Sequence, residues 1–190
     1  MGRDMHLDIR ALLIPDIKLI NSGRFKDARG YFSETFARSD FAAHGLPCDF
    51  IQDNQSSSDV SGTVRGLHFQ NPPFSQTKLV RVLQGRILDV AVDLRRSSPT
   101  YGRHVAIELS DQSGEQLLVP AGFAHGFCTL APHTIVFYKV DKIYSATHDS
   151  GINWIDPQLA IPWPIAAKDA TVSDKDRRLP MLAELSPVFA

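Results

Sequence analysis

The sequence predicts an all-β protein, an antiparallel sandwich or barrel, and two observations carry that expectation. From about residue 62 to 144, short β-prone runs alternate with clusters of Gly, Pro, Asn, Asp and Ser, and helix has little room. The clearest stretch is 78–94, where two apolar runs flank Gln84 and Gly85 in the pattern of a hairpin. In its second run Leu88, Val90, Val92 and Leu94 fall on one face and Asp89, Ala91 and Asp93 on the other, so one face is expected to be core. Further strands are expected at 104–109, 116–119, 126–130 and 134–140. Upstream, 39–44 reads as a short helix with Ser39 as its N-cap and Gly45 as its stop. After Tyr144 the chain turns rich in Asp, Pro and Trp. Trp154-Ile155-Asp156-Pro157 and Ile161-Pro162-Trp163-Pro164 read as loop, expected to wrap the barrel.

A chain of 190 residues with 43% hydrophobic content suffices for one well-buried core, so a single domain over 1–190 is expected. Basic and acidic side chains nearly balance at a formal net charge of -1, which favours neither nucleic acid nor an anionic membrane. An anionic small molecule would need local positive groups instead. The two cysteines, Cys48 and Cys128, have no paired spacing, so neither a disulfide framework nor a thiolate zinc site is expected, and a reducing cytoplasm is the predicted compartment. No apolar stretch reaches the ~20 residues of a membrane span, because Asp89 and Asp93 interrupt the richest run. The first residues lack the pattern of a signal peptide, and His6 stands where myristoylation wants Ser or Thr.

Chemistry concentrates in two segments. Gly62-Thr63-Val64-Arg65-Gly66-Leu67-His68-Phe69-Gln70 is β-prone yet carries an Arg, a His and two glycines. On a regular strand His68 and Gln70 share a face opposite Arg65, unless Gly66 marks a bulge that re-aims one of them. A lone strand His is more often a satisfied structural residue than a catalyst, so this segment alone does not decide between the two. The second segment runs from Gly114 through Pro120 and Gly122 to His125. Together the two resemble the paired motifs of cupins, which implies a cupin-type jelly-roll barrel with short helices and a C-terminal wrapping segment. Metal-binding cupins use three His and one carboxylate, but Gln70 replaces the second His and Ser75 stands near the carboxylate position, so no metal is expected. A metal-dependent cupin oxygenase or isomerase is the alternative from a different class.

A longer ordered set is more specific. It comprises Asp27-Ala28-Arg29-Gly30-Tyr31-Phe32-Ser33-Glu34, Gln52-Asp53-Asn54, Arg65-Gly66-Leu67-His68-Phe69-Gln70 and Lys78-Leu79-Val80. It continues with Asp89-Val90-Ala91-Val92-Asp93-Leu94-Arg95, Ser98-Pro99-Thr100-Tyr101-Gly102, Pro120 to Phe127 and Ser173-Asp174-Lys175-Asp176. Over about residues 12 to 180 this resembles the dTDP-4-dehydrorhamnose 3,5-epimerases.

The resemblance implies inversion at the carbons flanking the 4-keto group of a dTDP-linked 4-keto-6-deoxy hexose. Those hydrogens are acidic because the carbanion delocalises into the carbonyl, so a base and an acid on opposite faces suffice and no cofactor is needed. His68 matches the family's base, Asp176 the carboxylate that orients it, Tyr138 the proton donor and Lys78 the cation beside the keto oxygen. On composition alone Asp176 would belong to a solvated loop, Tyr138 to the core and Lys78 to an exposed strand end. Arg65 and Arg29 match phosphate-binding positions, with Arg29 supplied by the neighbouring subunit through an exchanged N-terminal strand, which implies a homodimer. Glu34, Gln52, Asn54 and His125 match positions around nucleotide and sugar. A single-site epimerase of another dTDP-deoxysugar pathway would keep the same base and fold.

Overall fold

The computed structural model describes residues 7–189; the amino-terminal residues 1–6, read above for targeting signals, lie outside them. Fourteen strands and two short helices follow in order. Strands β1 (Asp8–Ala11) and β2 (Lys18–Asn21) precede a small hairpin, β3 (Phe25–Asp27) with β4 (Gly30–Phe32), and helix α1 (Arg38–Ala43). The central strands are β5 (Gln52–Ser58), β6 (Thr63–Gln70), β7 (Lys78–Gln84), β8 (Arg86–Asp93), β9 (His104–Ser110), β10 (Gln116–Val119), β11 (Phe123–Thr129) and β12 (Thr134–Val140). Then come β13 (Asp149–Gly151), β14 (Thr171–Val172), α2 (Asp174–Arg177) and a 3₁₀ turn at Leu182–Glu184.

One sheet has the order β1-β2-β10-β7-β12-β5 and the other β13-β6-β11-β8-β9, with β14 added in parallel to β6. From β5 to β8 the chain changes sheet at every strand, and it does so again from β9 to β13. That alternation makes an antiparallel jelly roll, with inner faces meeting over a shared core. Ile17, Leu19, Val80, Val82, Ile87, Ala91, Leu109, Leu117, Phe123 and Val136 fill it, each fully or almost fully buried. Burial of the Ile, Leu, Val and Phe side chains among them stabilises by about 1.5–3 kcal/mol each.

The segment 78–94 is not a hairpin. β7 and β8 lie in opposite sheets, and Gly85, at φ 83° with its N–H donated to Asp111 Oδ2 at 2.9 Å, turns the chain between them. Two apolar runs around a glycine specify a reversal of the chain but not its partner. Nor has β8 a single core face. Ile87 and Ala91 enter the barrel core, while Val90, Val92 and Leu94 pack outside with Leu67, Ile152, Leu159 and Leu182 beneath the C-terminal segment. The wrap expected from the Pro- and Trp-rich tail supplies this second cover.

The N-cap of helix α1 is Ala37, two residues before the expected Ser39. Ser39 is already inside the first turn, where its hydroxyl contacts Asp40 Oδ1 at 3.2 Å. Phe41 anchors the helix, fully buried against Leu7, Ile20, Leu79 and Leu118. The Asp93-to-Tyr101 motif proves structural. Burial alone would raise the Asp93 carboxyl, but hydrogen bonds from Arg95, Ser98 and Thr100 pull it down to about 2.

Candidate active site

Where β6 pairs with β11, His68 lies opposite His125 and Arg65 opposite Phe127, so Gly126 alone faces Gly66 and Leu67. This bulge resets the alternation of β6, and Arg65 and His68 both line one cavity of about 490 Å³ between the sheets. The crossing demands glycine on both strands. A Cβ on Gly66 would stand 2.6 Å from Gly126 Cα, one on Gly126 would stand 2.6 Å from the Arg65 carbonyl, and Gly66 has φ +124°.

The wall beside His68 comes from the tail. Thr171 and Val172 run parallel to Thr63 and Val64, which brings α2 onto the cavity rim. Ser173 caps that helix by accepting the Asp176 N–H at 3.1 Å. Asp176, 4% exposed, then reaches His68 Nε2 with Oδ1 at 2.7 Å and accepts the Gly66 N–H on Oδ2 at 3.0 Å. Burial would raise this carboxyl, but His68, the Gly66 amide and the Ser173 hydroxyl together hold it below its ordinary value. An ionised Asp176 fixes the proton of neutral His68 on Nε2 and leaves the Nδ1 lone pair available as a base.

Lys78 opens β7 on the barrel-facing side, two residues before core Val80. It is buried and donates from Nζ to the His68 carbonyl at 3.3 Å. Burial pushes its pKa down to about 8, against the pull of the Asp89 and Asp149 carboxylates. Tyr138, on β12 of the opposite sheet from His68, lines the same cavity. Its phenol is raised above its ordinary value by burial, with Arg65 opposing and Asp149 adding, so it carries its proton at neutral pH.

Of the remaining positions, Arg65 spans to β5, donating to Ser58 Oγ at 3.2 Å and to the Ser57 carbonyl at 2.8 Å. His125 lines the cavity and joins Asp89 Oδ1 through Nε2 at 2.8 Å. Gln52 and Asn54 line an adjoining recess of about 200 Å³ that shares His68, Lys78 and Tyr138 with the main cavity. The Gln52 amide donates to Asn54 Oδ1 at 2.8 Å. Arg29 and Glu34 line neither cavity of their own chain. Arg29 sits on the β3–β4 hairpin, paired with Asp27 at 2.6 Å and almost fully exposed.

Among the polar groups that sequence reasoning missed are Lys175, Asp149 and Tyr144 on the cavity walls and Asp89, buried behind His125. Asp89 carried a signal, being a carboxylate within an apolar strand. Lys175 stood inside the quoted Ser-Asp-Lys-Asp motif, and it meets Asp149 and lines both cavities. Asp149 and Tyr144 carried no local signal, because only the pairing of β13 with β6 brings that segment to the site. Gln70, at the position where a metal cupin has its second His, is committed to the backbone of Phe74, Ile143 and Ser145. Among the described residues no three His, Cys, Asp or Glu side chains group as metal ligands.

The family profile described as dTDP-4-dehydrorhamnose 3,5-epimerase matches residues 11–184. A dTDP-4-dehydrorhamnose 3,5-epimerase of Sinorhizobium fredii is 50% identical over 95% of this chain and 92% of its own length. The crystal structure of the Bacillus anthracis enzyme of that name, with TDP and PPi bound, is 50% identical. It superposes with a TM-score of 0.90, covering 93% of this chain and 99% of that one. The Legionella pneumophila dTDP-6-deoxy-D-glucose-3,5-epimerase, in complex with dTDP-4-keto-L-rhamnose, also gives 0.90, at 38% identity and 95% coverage of both chains. On these grounds the chain belongs to the dTDP-4-dehydrorhamnose 3,5-epimerase family of isomerases.

Proposed function

We propose that the chain inverts C3 and C5 of dTDP-4-keto-6-deoxyglucose through enolates, as a step of dTDP-L-rhamnose formation, with its own side chains as the only catalysts. The observation that carries this reading is the His68–Asp176 pair on one wall of a cavity whose facing sheet presents Tyr138, with Lys78 anchored beside the base.

His68 Nδ1 takes the proton from the carbon beside the ketone, and the electron pair of that C–H bond moves into the carbonyl. Lys78 holds the resulting enolate oxygen, whose charge it stabilises more than that of the ketone. Tyr138 delivers its proton to the opposite face and recovers one from solvent, while His68 releases the proton it took. Asp176 supports the transient imidazolium. No net oxidation occurs. Arg65 meets the diphosphate; Gln52, Asn54 and His125 surround nucleotide and sugar.

Arg29 and Glu34 reach the site of a second copy in a homodimer with exchanged N-terminal strands. Support for that assembly comes from the hairpin carrying Arg29, where Tyr31 and Phe32 are more than half exposed. One domain carries the whole activity. A cytoplasmic location fits two free cysteines and the lack of a helix, among the described residues, long and apolar enough to cross a membrane.

Incubation with dTDP-4-keto-6-deoxyglucose in deuterated water, followed by NMR and mass spectrometry, tests the reading. Deuterium is expected at both C3 and C5. Label at one carbon only would make this a single-site epimerase, and none would overturn the reading. In the Tyr138→Phe variant, inversion is expected to fall far more than proton exchange, since His68 can still remove and return a proton on its own face. Equal loss of both would sink the separate roles.

A further inference from the structure

A polar atom of the cavity wall, Ser56 Oγ, finds no partner among the described residues. It is shielded from solvent, although Ser56 lines the main cavity. Leaving a buried hydroxyl unsatisfied forfeits its hydration with nothing in return, and few native groups stand so. The same strand shows how its neighbours avoid this. Asn54 is bonded to Gln52, and Ser58 accepts from Arg65. Rotation about the single χ1 bond of Ser56 can turn Oγ toward a ligand that offers a partner.

Register fixes what that ligand presents there. Along β5, Asn54 lies opposite Tyr138 and Ser56 opposite Val136, while Ser58 holds Arg65. Ser56 is therefore the hydroxyl between the proposed proton donor and the proposed diphosphate clamp. In the bound sugar, C1 carries the diphosphate and C3, C4 and C5 form the reacting edge. The polar group between those two ends is the C2 hydroxyl, which both donates and accepts. The ring oxygen, its electrons drawn toward the anomeric centre, is a poor acceptor.

We propose that Ser56 is a specificity-determining residue whose hydroxyl bonds the C2 hydroxyl of the sugar, so that the site selects 2-hydroxylated 4-keto-6-deoxy hexoses over 2-deoxy ones. This rests on the epimerase reading above. A seated substrate would supply the partner that the protein itself does not give Oγ. A site left with an unmatched polar group when the substrate lacks its hydroxyl discriminates against that substrate.

The experiment is a cycle of two enzymes and two substrates. Wild type and Ser56→Ala are assayed for deuterium incorporation with dTDP-4-keto-6-deoxyglucose and with its 2-deoxy analogue. Wild-type exchange on the first substrate establishes the epimerase reading independently, and its absence would remove that reading, not the register of Ser56. With wild type active, Ser56→Ala is expected to lose about tenfold in kcat/KM on the hydroxylated substrate and less than about twofold on the analogue, chiefly through KM. Ser56→Thr, which keeps a hydroxyl, should restore most of the loss. The Tm of Ser56→Ala should equal or exceed that of wild type, because an unsatisfied hydroxyl is removed. Equal losses on both substrates, no loss on either, or a lowered Tm would each overturn the proposal.

Discussion

Two histidines face each other across the β6–β11 pairing, and each is held through Nε2 by an aspartate, at 2.7 Å for His68–Asp176 and 2.8 Å for His125–Asp89. Their surroundings differ. The His68 side chain is 31% exposed over an Asp176 that is 6% exposed, whereas His125 and Asp89 are 7% and 0% exposed. Both oxygens of Asp176 are bonded, one to the ring and one to the Gly66 amide, while Asp89 Oδ2 has no hydrogen bond among the described residues. The same pair of side chains thus serves two purposes. Where solvent reaches the ring, the ring is open to proton exchange; where it barely does, the pair fixes the shape of the cavity wall.

The largest effects should separate the two pairs. His68→Asn removes the proposed base and is expected to lower proton exchange by about 10²–10⁴-fold. Asp176→Asn should cost nearly as much with the fold intact. Its amide donates to Nε2 and forces the imidazole proton onto Nδ1, where that proton takes up the lone pair of the proposed base. His125→Asn is expected to raise KM more than it lowers exchange at saturation. Single-turnover deuterium exchange in the three variants reads this directly. An Asp176→Asn enzyme with wild-type exchange, or a His125→Asn enzyme as inactive as His68→Asn, would erase the distinction.

The asymmetry between the pairs also marks how far the sequence could be read. His68 and Asp176 lie 108 positions apart, and only the ordered motifs joined them; charge pattern alone put Asp176 in a solvated loop. The strand rhythm located the central β-runs well, because alternation and turn residues act locally. Partnership between strands is not local. For that reason 78–94 looked like a hairpin although its halves enter different sheets, and β8 looked one-sided although the tail covers its second face. Asp89 was on the page as a polar residue on the minority face of β8, and nothing near it in sequence announced His125. The bulge at Gly66 was foreseeable from the glycine alone, but which residue it re-aimed depended on Gly126 across the pairing.

A smaller effect tests whether the buried pair acts through charge. Asp89 and Asp149 raise the Lys78 pKa against the stronger effect of burial. Asp89→Asn removes one of those supports, so Lys78 should lose its proton at lower pH than in wild type. At pH 7.5 the variant should be a few-fold slower, and its activity should recover on acidification toward pH 6.5. A uniform loss across that range would mean that Asp89 shapes the wall and leaves the charge of Lys78 alone.

The smallest effect belongs to wild type itself. Lys78 has a pKa of about 8, below the 10.5 of a free lysine, and burial is the first cause. If its ammonium holds the enolate, kcat should decline as pH rises through about 8, reaching half its plateau there. Stability should move the opposite way. Between about pH 8 and 10.5 the unfolded chain binds a proton at this lysine that the folded chain does not, so the unfolding free energy contributed by this group increases with pH across that window. Lys78→Met should remove both trends together, losing the stability gain measured by urea unfolding at pH 7.5 and 10 along with most of its activity at either pH. A wild-type kcat still rising at pH 9.5 would show that the neutral amine is the working form, and the enolate would then need another cation.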